Sequence, residues 1–190
     1  QEGDWVDTDE EIARVRPFLL AAREAHPGLV ISLDTWRSEV LAACADAGVD
    51  LVNDTWAGAD PELAHAAAEL GAGYVVSHTG GLPPRTDPVD VSYGEGPDAV
   101  VASVLSGLAA GARRAVDAGV RPESVLIDPT LDFGKTTRNS LRVLRATGLV
   151  AGLGFPVLQA ISRKDFVGET LDLPASERLE GSLAATAVAA

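Results

Sequence analysis

Five short apolar runs punctuate the chain: LVISLDT (29–35), DLVNDT (50–55), YVVSHT (74–79), SVLIDP (124–129) and FPVLQAISRK (155–164). Each is nearly continuous in Val, Ile and Leu and ends in polar residues, the pattern of parallel strands buried on both faces. Helices fill the intervals. Thr8 with Glu11 reads as a capping box before IARVRPFLLAA, Ser38 opens a second helix, and Asp60-Pro61 opens PELAHAAAEL. Residues 98–119 are long enough for a crossover helix, 139–152 form another, and 177–190 close the chain. The predicted order is αβαβαβαβαβα, with no domain boundary and no internal repeat beyond the βα unit.

Alternating strands and helices joined by right-handed crossovers leave two architectures, an open doubly wound sheet or a barrel. Five strands are too few to close a barrel of about eight, and no GxGxxG fingerprint follows a strand. Either the sheet is open or the chain is a segment of something longer. In both architectures ligands bind at the C-terminal ends of the strands. That rim carries Asp34, Asn53, His78, Asp128 and Lys164, a donor and acceptor set suited to a polar heterocycle, and the following helices turn amide N–H groups toward it. The segment 80–96 is about three times longer than an ordinary βα loop and rich in proline, as lids and binding loops are.

Composition narrows the picture. With 190 residues and 46% hydrophobic content, the chain is expected to form one soluble domain. A net charge of −13 excludes nucleic acid as a partner. No apolar stretch reads as a membrane span and the start, QEGDWVDTDEE, lacks the features of a signal peptide, so a cytoplasmic location is expected. The lone Cys44 is expected to be a small buried residue. His65 and His78 read as structural, because no second metal-type ligand accompanies either. Trp36 and Trp56, which follow strand ends, are candidate walls of a pocket, and Arg178 either meets an anion or pairs with Glu177 or Glu180.

The motifs ISLDTWRSEV, LVNDTWAGADPEL, SHTGG-LP, LIDPTLDFGK, ISRKDFVGETL and ERLEGSLA, in this order and spacing, resemble the dihydropteroate synthases, pterin-binding enzymes of folate biosynthesis. The resemblance implies a TIM-type (β/α)8 barrel, of which residues 1–190 supply about five βα units, family strands three to seven, as a single domain truncated at both ends. It implies transfer of the pterinylmethyl group of 6-hydroxymethyl-7,8-dihydropterin pyrophosphate to p-aminobenzoate, with release of pyrophosphate. By the same resemblance Asp34 and Lys164 are catalytic, while Asn53, Asp128, Phe133, Lys135, Ser162 and Arg163 bind substrate. Asp128 and Lys164 read the pterin edge, and Ser162 with Phe133 lines the p-aminobenzoate pocket. Mg²⁺ is the implied cofactor, held mainly by pyrophosphate and a residue outside this chain, so no metal ligand is assigned within it. A homodimer is implied for the full-length protein.

Three positions depart from the family pattern: Thr130 and Asp132 replace glycines, and Ser77 replaces a Met that packs on the pterin. Together with DTW and NDTW they resemble a divergent actinobacterial subgroup, the second dihydropteroate synthases. The departures lead to an expectation of retained pterin binding with weak use of p-aminobenzoate, because Asp132 adds negative charge beside Phe133. A pterin-binding paralogue without synthase activity is the alternative.

Overall fold

In the computed structural model, which describes residues 6–81 and 87–190, four parallel strands lie side by side in chain order. They are β1 (Ser32–Asp34), β2 (Leu51–Asp54), β3 (Gly73–Ser77) and β4 (Val125–Asp128), each inside its predicted apolar run. Strands added one after another, each returned by a helix on the same side, build the wall of a TIM-type barrel. This chain supplies about five βα units of it.

The fifth predicted strand is reduced to a single parallel bridge between Val157 and Ile127. Two hydrogen bonds make it, Ile127 N–H to Pro156 O at 3.0 Å and Leu158 N–H to Ile127 O at 2.9 Å. Among the described residues this segment has no strand on its outer side, and Pro156 has no N–H to offer one. The rest of the run is therefore irregular.

The helices are α1 (Thr8–Ala25), α2 (Ser38–Ala43), α3 (Leu63–Glu69), α4 (Ala99–Asp117), α5 (Thr137–Arg145), α6 (Thr147–Ala151), α7 (Asp165–Leu171) and α8 (Leu179–Ala189). Asp7, not Thr8, caps α1, accepting from Glu10 N–H at 2.9 Å; Glu11 instead binds Arg37 and Thr35 at the foot of α2. Asp60 holds two helix starts, accepting from Ser38 N–H at 2.7 Å and Glu62 N–H at 3.0 Å. The single helix expected over 139–152 breaks at Ala146 into α5 and α6. Helix α7 is absent from the predicted order.

Successive strand residues alternate between two environments. Leu33, Val52, Tyr74, Val76, Val125 and Ile127 are buried under the helices. Helix α4 is long and apolar enough by composition to cross a membrane. Its buried stripe of Val100, Val104, Leu108, Ala112 and Ala115 packs on β3 and β4, as the core helix of a βα unit does. Cys44 is fully buried in the same core.

Candidate functional site

The opposite face carries the chemistry. Register pairs Asp34 with Asn53, Asn53 with Val75, and Ser77 with Asp128. Because side chains alternate with a period of two, Asp34, Asn53 and Asp128 share one face, with Asp128 two residues nearer the rim. Asn53 Nδ2 donates to Asp34 Oδ2 at 3.1 Å and Thr55 Oγ1 to Oδ1 at 3.3 Å. Solvent reaches this carboxylate, yet partial desolvation raises its pKa above the ordinary value, and the two donors pull it back down. Trp36 and Trp56 stack on each other at this end, centroids 4.7 Å apart and planes 17° off parallel.

Ser77 does not leave a gap where an apolar contact was expected. Its hydroxyl donates to Asp54 O and accepts from Ala57 N–H at 3.1 Å. The Asp54 carboxylate, facing the helices, gathers Tyr74 OH at 2.7 Å, Gly58 N–H at 2.7 Å and Trp56 N–H at 3.0 Å. Together these bonds fix the turn after β2.

On the β4 side the segment DPTLDFGK folds onto itself. Asp128 is buried and its Oδ1 accepts Thr130 N–H at 2.7 Å, whereas Oδ2 makes no hydrogen bond among the described residues. Burial raises the Asp128 pKa and the charges of Lys164 and Lys135 oppose the rise. Thr130 has left-handed backbone, φ 53°, which disfavours a β-branched residue. Its hydroxyl offsets the strain by donating to Asp128 O at 2.8 Å and accepting His78 N–H at 3.1 Å, which ties β4 to the end of β3.

Lys135 was expected to bind substrate and does not face the rim. It is 1% exposed, and Nζ donates to His78 O at 2.7 Å, Phe133 O at 3.0 Å and Thr130 O at 3.1 Å. Three carbonyls use all three ammonium hydrogens, so none remains for a ligand. Burial pulls its pKa down to about 7, against the raising effect of Asp128 and Asp132. His78 is buried, and burial first, then the charge of Lys135, lowers its pKa to about 3. The neutral ring has Nε2 3.1 Å from Ser103 Oγ and stacks on Tyr93 at 6.0 Å. Of the long loop, residues 82–86 lie outside the described residues. Its later part is anchored by Tyr93 OH, which donates to Gly134 O at 2.5 Å. Glycine is required at 134, because a Cβ there would sit 2.2 Å from Thr79 O.

Asp132 occupies left-handed backbone, φ 72°, and its carboxylate turns onto α7, accepting Asp165 N–H at 2.5 Å and Phe166 N–H at 3.2 Å. Ser140 Oγ adds a third donor at 3.3 Å. The charge thought to confront a second substrate is engaged as a helix cap. Next to it, Lys164 Nζ lies 4.6 Å from the centroid of the Phe133 ring and makes no hydrogen bond among the described residues. Ser162 and Arg163 are exposed beside Lys164. Arg178 pairs with neither Glu177 nor Glu180. It pairs with Asp165 at 2.9 Å and donates to the carbonyls of Arg163 at 3.1 Å and Lys164 at 3.2 Å. The structure thus gathers Asp34, Asn53, Asp128, Phe133 and Lys164 at one rim, adds Thr55, Thr130 and Asp132 as their supports, and removes Lys135 to the core.

Comparison with known proteins fits this arrangement. The sequence profile described as "Pterin binding enzyme" matches residues 1–190. The chain belongs to the pterin-binding enzyme family. It is 55% identical over 188 residues, 99% of its own length and 65% of the relative's, to a Mycobacterium leprae protein named inactive dihydropteroate synthase 2. It is 36% identical to the dihydropteroate synthase of Bacillus subtilis over 94% of this chain and 59% of that one. Solved structures of Thermus thermophilus dihydropteroate synthase superpose with TM-scores of 0.86 in complex with 6HMPPP and 0.87 in complex with 4-aminobenzoate. Both are 35% identical, covering 97% and 98% of this chain and 70% and 69% of those chains. The chain therefore spans about two thirds of the length of these family members. Among the described residues no three His, Cys, Asp or Glu side chains converge as a metal site.

Proposed function

We propose that the protein is a dihydropteroate synthase-type transferase of folate biosynthesis, with the rim of Asp34, Asn53, Asp128 and Lys164 as its pterin site in a single barrel domain. It joins the pyrophosphorylated methylene of the dihydropterin to the amine of p-aminobenzoate and releases pyrophosphate. The observation that carries the reading is the pair of uncommitted groups at a half-buried rim. Asp128 Oδ2 and Lys164 Nζ each lack a hydrogen-bond partner among the described residues, so one acceptor and one charged donor at this rim remain available to a polar ligand.

In this reading Asp128 accepts the N–H groups of the aminopyrimidine edge, a bidentate contact that rejects rings without those donors. Asn53 reads the same edge and Lys164 donates to the oxo side. Asp34, below the ring, stabilises the cationic pterin as pyrophosphate departs, an electrostatic contribution that is usually the largest in catalysis. Phe133, Ser162 and Arg163 shape the p-aminobenzoate pocket. Bound Mg²⁺ would neutralise the leaving pyrophosphate. The described residues build no site for it, so the reading places it on pyrophosphate and a residue outside this chain, and no step here runs through it. The proposal includes a cytoplasmic location, in keeping with the packing of α4 on the sheet. It also includes a homodimer of the full-length protein, supported by the exposure of Leu179, Leu183 and Val188 on α8.

One observation favours a second reading, a pterin-binding paralogue without synthase activity: the non-glycine pair Thr130 and Asp132 occupies left-handed backbone in the loop that follows Asp128. Titrating the full-length protein calorimetrically with the pterin pyrophosphate, then assaying pteroate formation with p-aminobenzoate, separates the two. Binding with turnover supports the synthase, binding without turnover supports the paralogue, and absence of binding refutes both.

A further inference from the structure

Lys164 sits where the chain has little local means of fixing it. It is the N-cap residue of α7 in extended conformation, φ −61° and ψ 155°, yet its own side chain makes no cap bond. The preceding residue, Arg163, is left-handed at φ 55°. Helix α7 has only seven residues, too few to hold its first turn by helix formation alone. Three groups from elsewhere hold that turn. Asp132 takes the N–H groups of Asp165 and Phe166. Arg178 takes the carbonyls of Arg163 and Lys164, and Ser182 Oγ accepts Arg163 N–H at 3.0 Å. Arg178 reaches these carbonyls across Gly168, where a Cβ would stand 2.1 Å from its Cζ.

We propose that Asp132 and Arg178 are positioning residues that aim the Lys164 ammonium at the ligand opposite Asp128, acting through the first turn of α7 and not by touching the ligand. The inference rests on the pterin-site reading above and adds the residues that set its geometry. It also reverses the sense of Asp132: a carboxylate facing the second substrate would be better removed, whereas a strut for Lys164 would not.

The test is a double-mutant cycle in the full-length protein, read as affinity for the pterin pyrophosphate by calorimetry. Asp132→Ala is expected to weaken binding about tenfold and Asp132→Asn, which keeps an acceptor, no more than about threefold. In a Lys164→Ala background, Asp132→Ala is expected to add nothing. Amide hydrogen exchange at Asp165 and Phe166 should quicken in Asp132→Ala and return toward the parent in Asp132→Asn. Should Asp132→Ala fail to fold, Arg178→Lys, which keeps charge but loses the guanidinium fork, tests the same coupling. Additive losses in the double mutant, or parental affinity in Asp132→Ala despite fast exchange, overturn the inference. If Lys164→Ala itself binds like the parent, or the parent binds no pterin, the site reading fails instead.

Discussion

On the β1–β2 side of the rim, Asp34 is open to solvent and steadied by two neutral side chains, Asn53 and Thr55. On the β4 side, Asp128, Thr130 and Lys135 are buried, and their side-chain bonds end on backbone atoms of β4, of His78 just after β3, or of the loop between β4 and α5. Backbone partners cannot rotate away, so the second side is preset while the first can adjust. For the pterin site proposed above, both arrangements would serve: fixed acceptors for recognition of the ring, and a hydrated carboxylate that can meet a change of charge beside it.

The preset side should fail most heavily. Lys135→Met leaves three buried carbonyls without a donor and is expected to destabilise the protein by about 3 kcal/mol or more. Denaturant melts of the full-length protein would show it, and a loss under 1 kcal/mol would mean that water or repacking replaces the ammonium. Asp128→Ala is expected to weaken pterin pyrophosphate binding by about 2–4 kcal/mol with little loss of folding stability, since the carboxylate holds only Thr130 N–H within the chain. Parental affinity by calorimetry would remove Asp128 from the site.

His78 supplies a pH test of the same side. Its folded pKa of about 3 lies below the ordinary 6.5, so the native state binds fewer protons than the unfolded chain between these values. Stability is full above pH 6.5 and declines as pH falls toward 3, by about 1.4 kcal/mol per unit from this group. His78→Gln should flatten the acid slope of stability by that amount, and an unchanged slope would show that other groups govern it. The adjustable side should respond least. Asn53→Ala removes the 3.1 Å donor to Asp34 and is expected to lower turnover by about 1 kcal/mol in barrier. Because that donor lowers the Asp34 pKa, the acid limb of the pH–rate profile should also move to higher pH. An unmoved limb would separate Asp34 from the rate-limiting protonation state.

Much of this was legible in the sequence, for reasons that also mark where legibility stops. The four strands were readable because parallel strands under helices must be apolar throughout, and Asp34, Asn53 and Asp128 because polar residues ending such strands have only the rim to occupy. The fifth run carried the same signal but, with one neighbouring strand among the described residues, forms a single bridge. Helix α7 was missed because its cap, Asp132, is 33 positions away, beyond any local pattern. Lys135 and Asp132 share another blind spot. Strand-end logic locates a residue along the chain but not the direction of a long or capping side chain, which three carbonyls decide for one and two amides for the other.

The distant cap also has a consequence for the order of assembly. A seven-residue helix does not persist alone, so α7 gains its first turn only after the β4 loop, itself dependent on β3 through Thr130 and Lys135, has closed. The sheet can form without Lys164 in place, but Lys164 cannot be in place without the sheet. Lys164 therefore takes its place through bonds that the β4 loop supplies from across the fold, and loosening that loop releases the first turn of α7 with it.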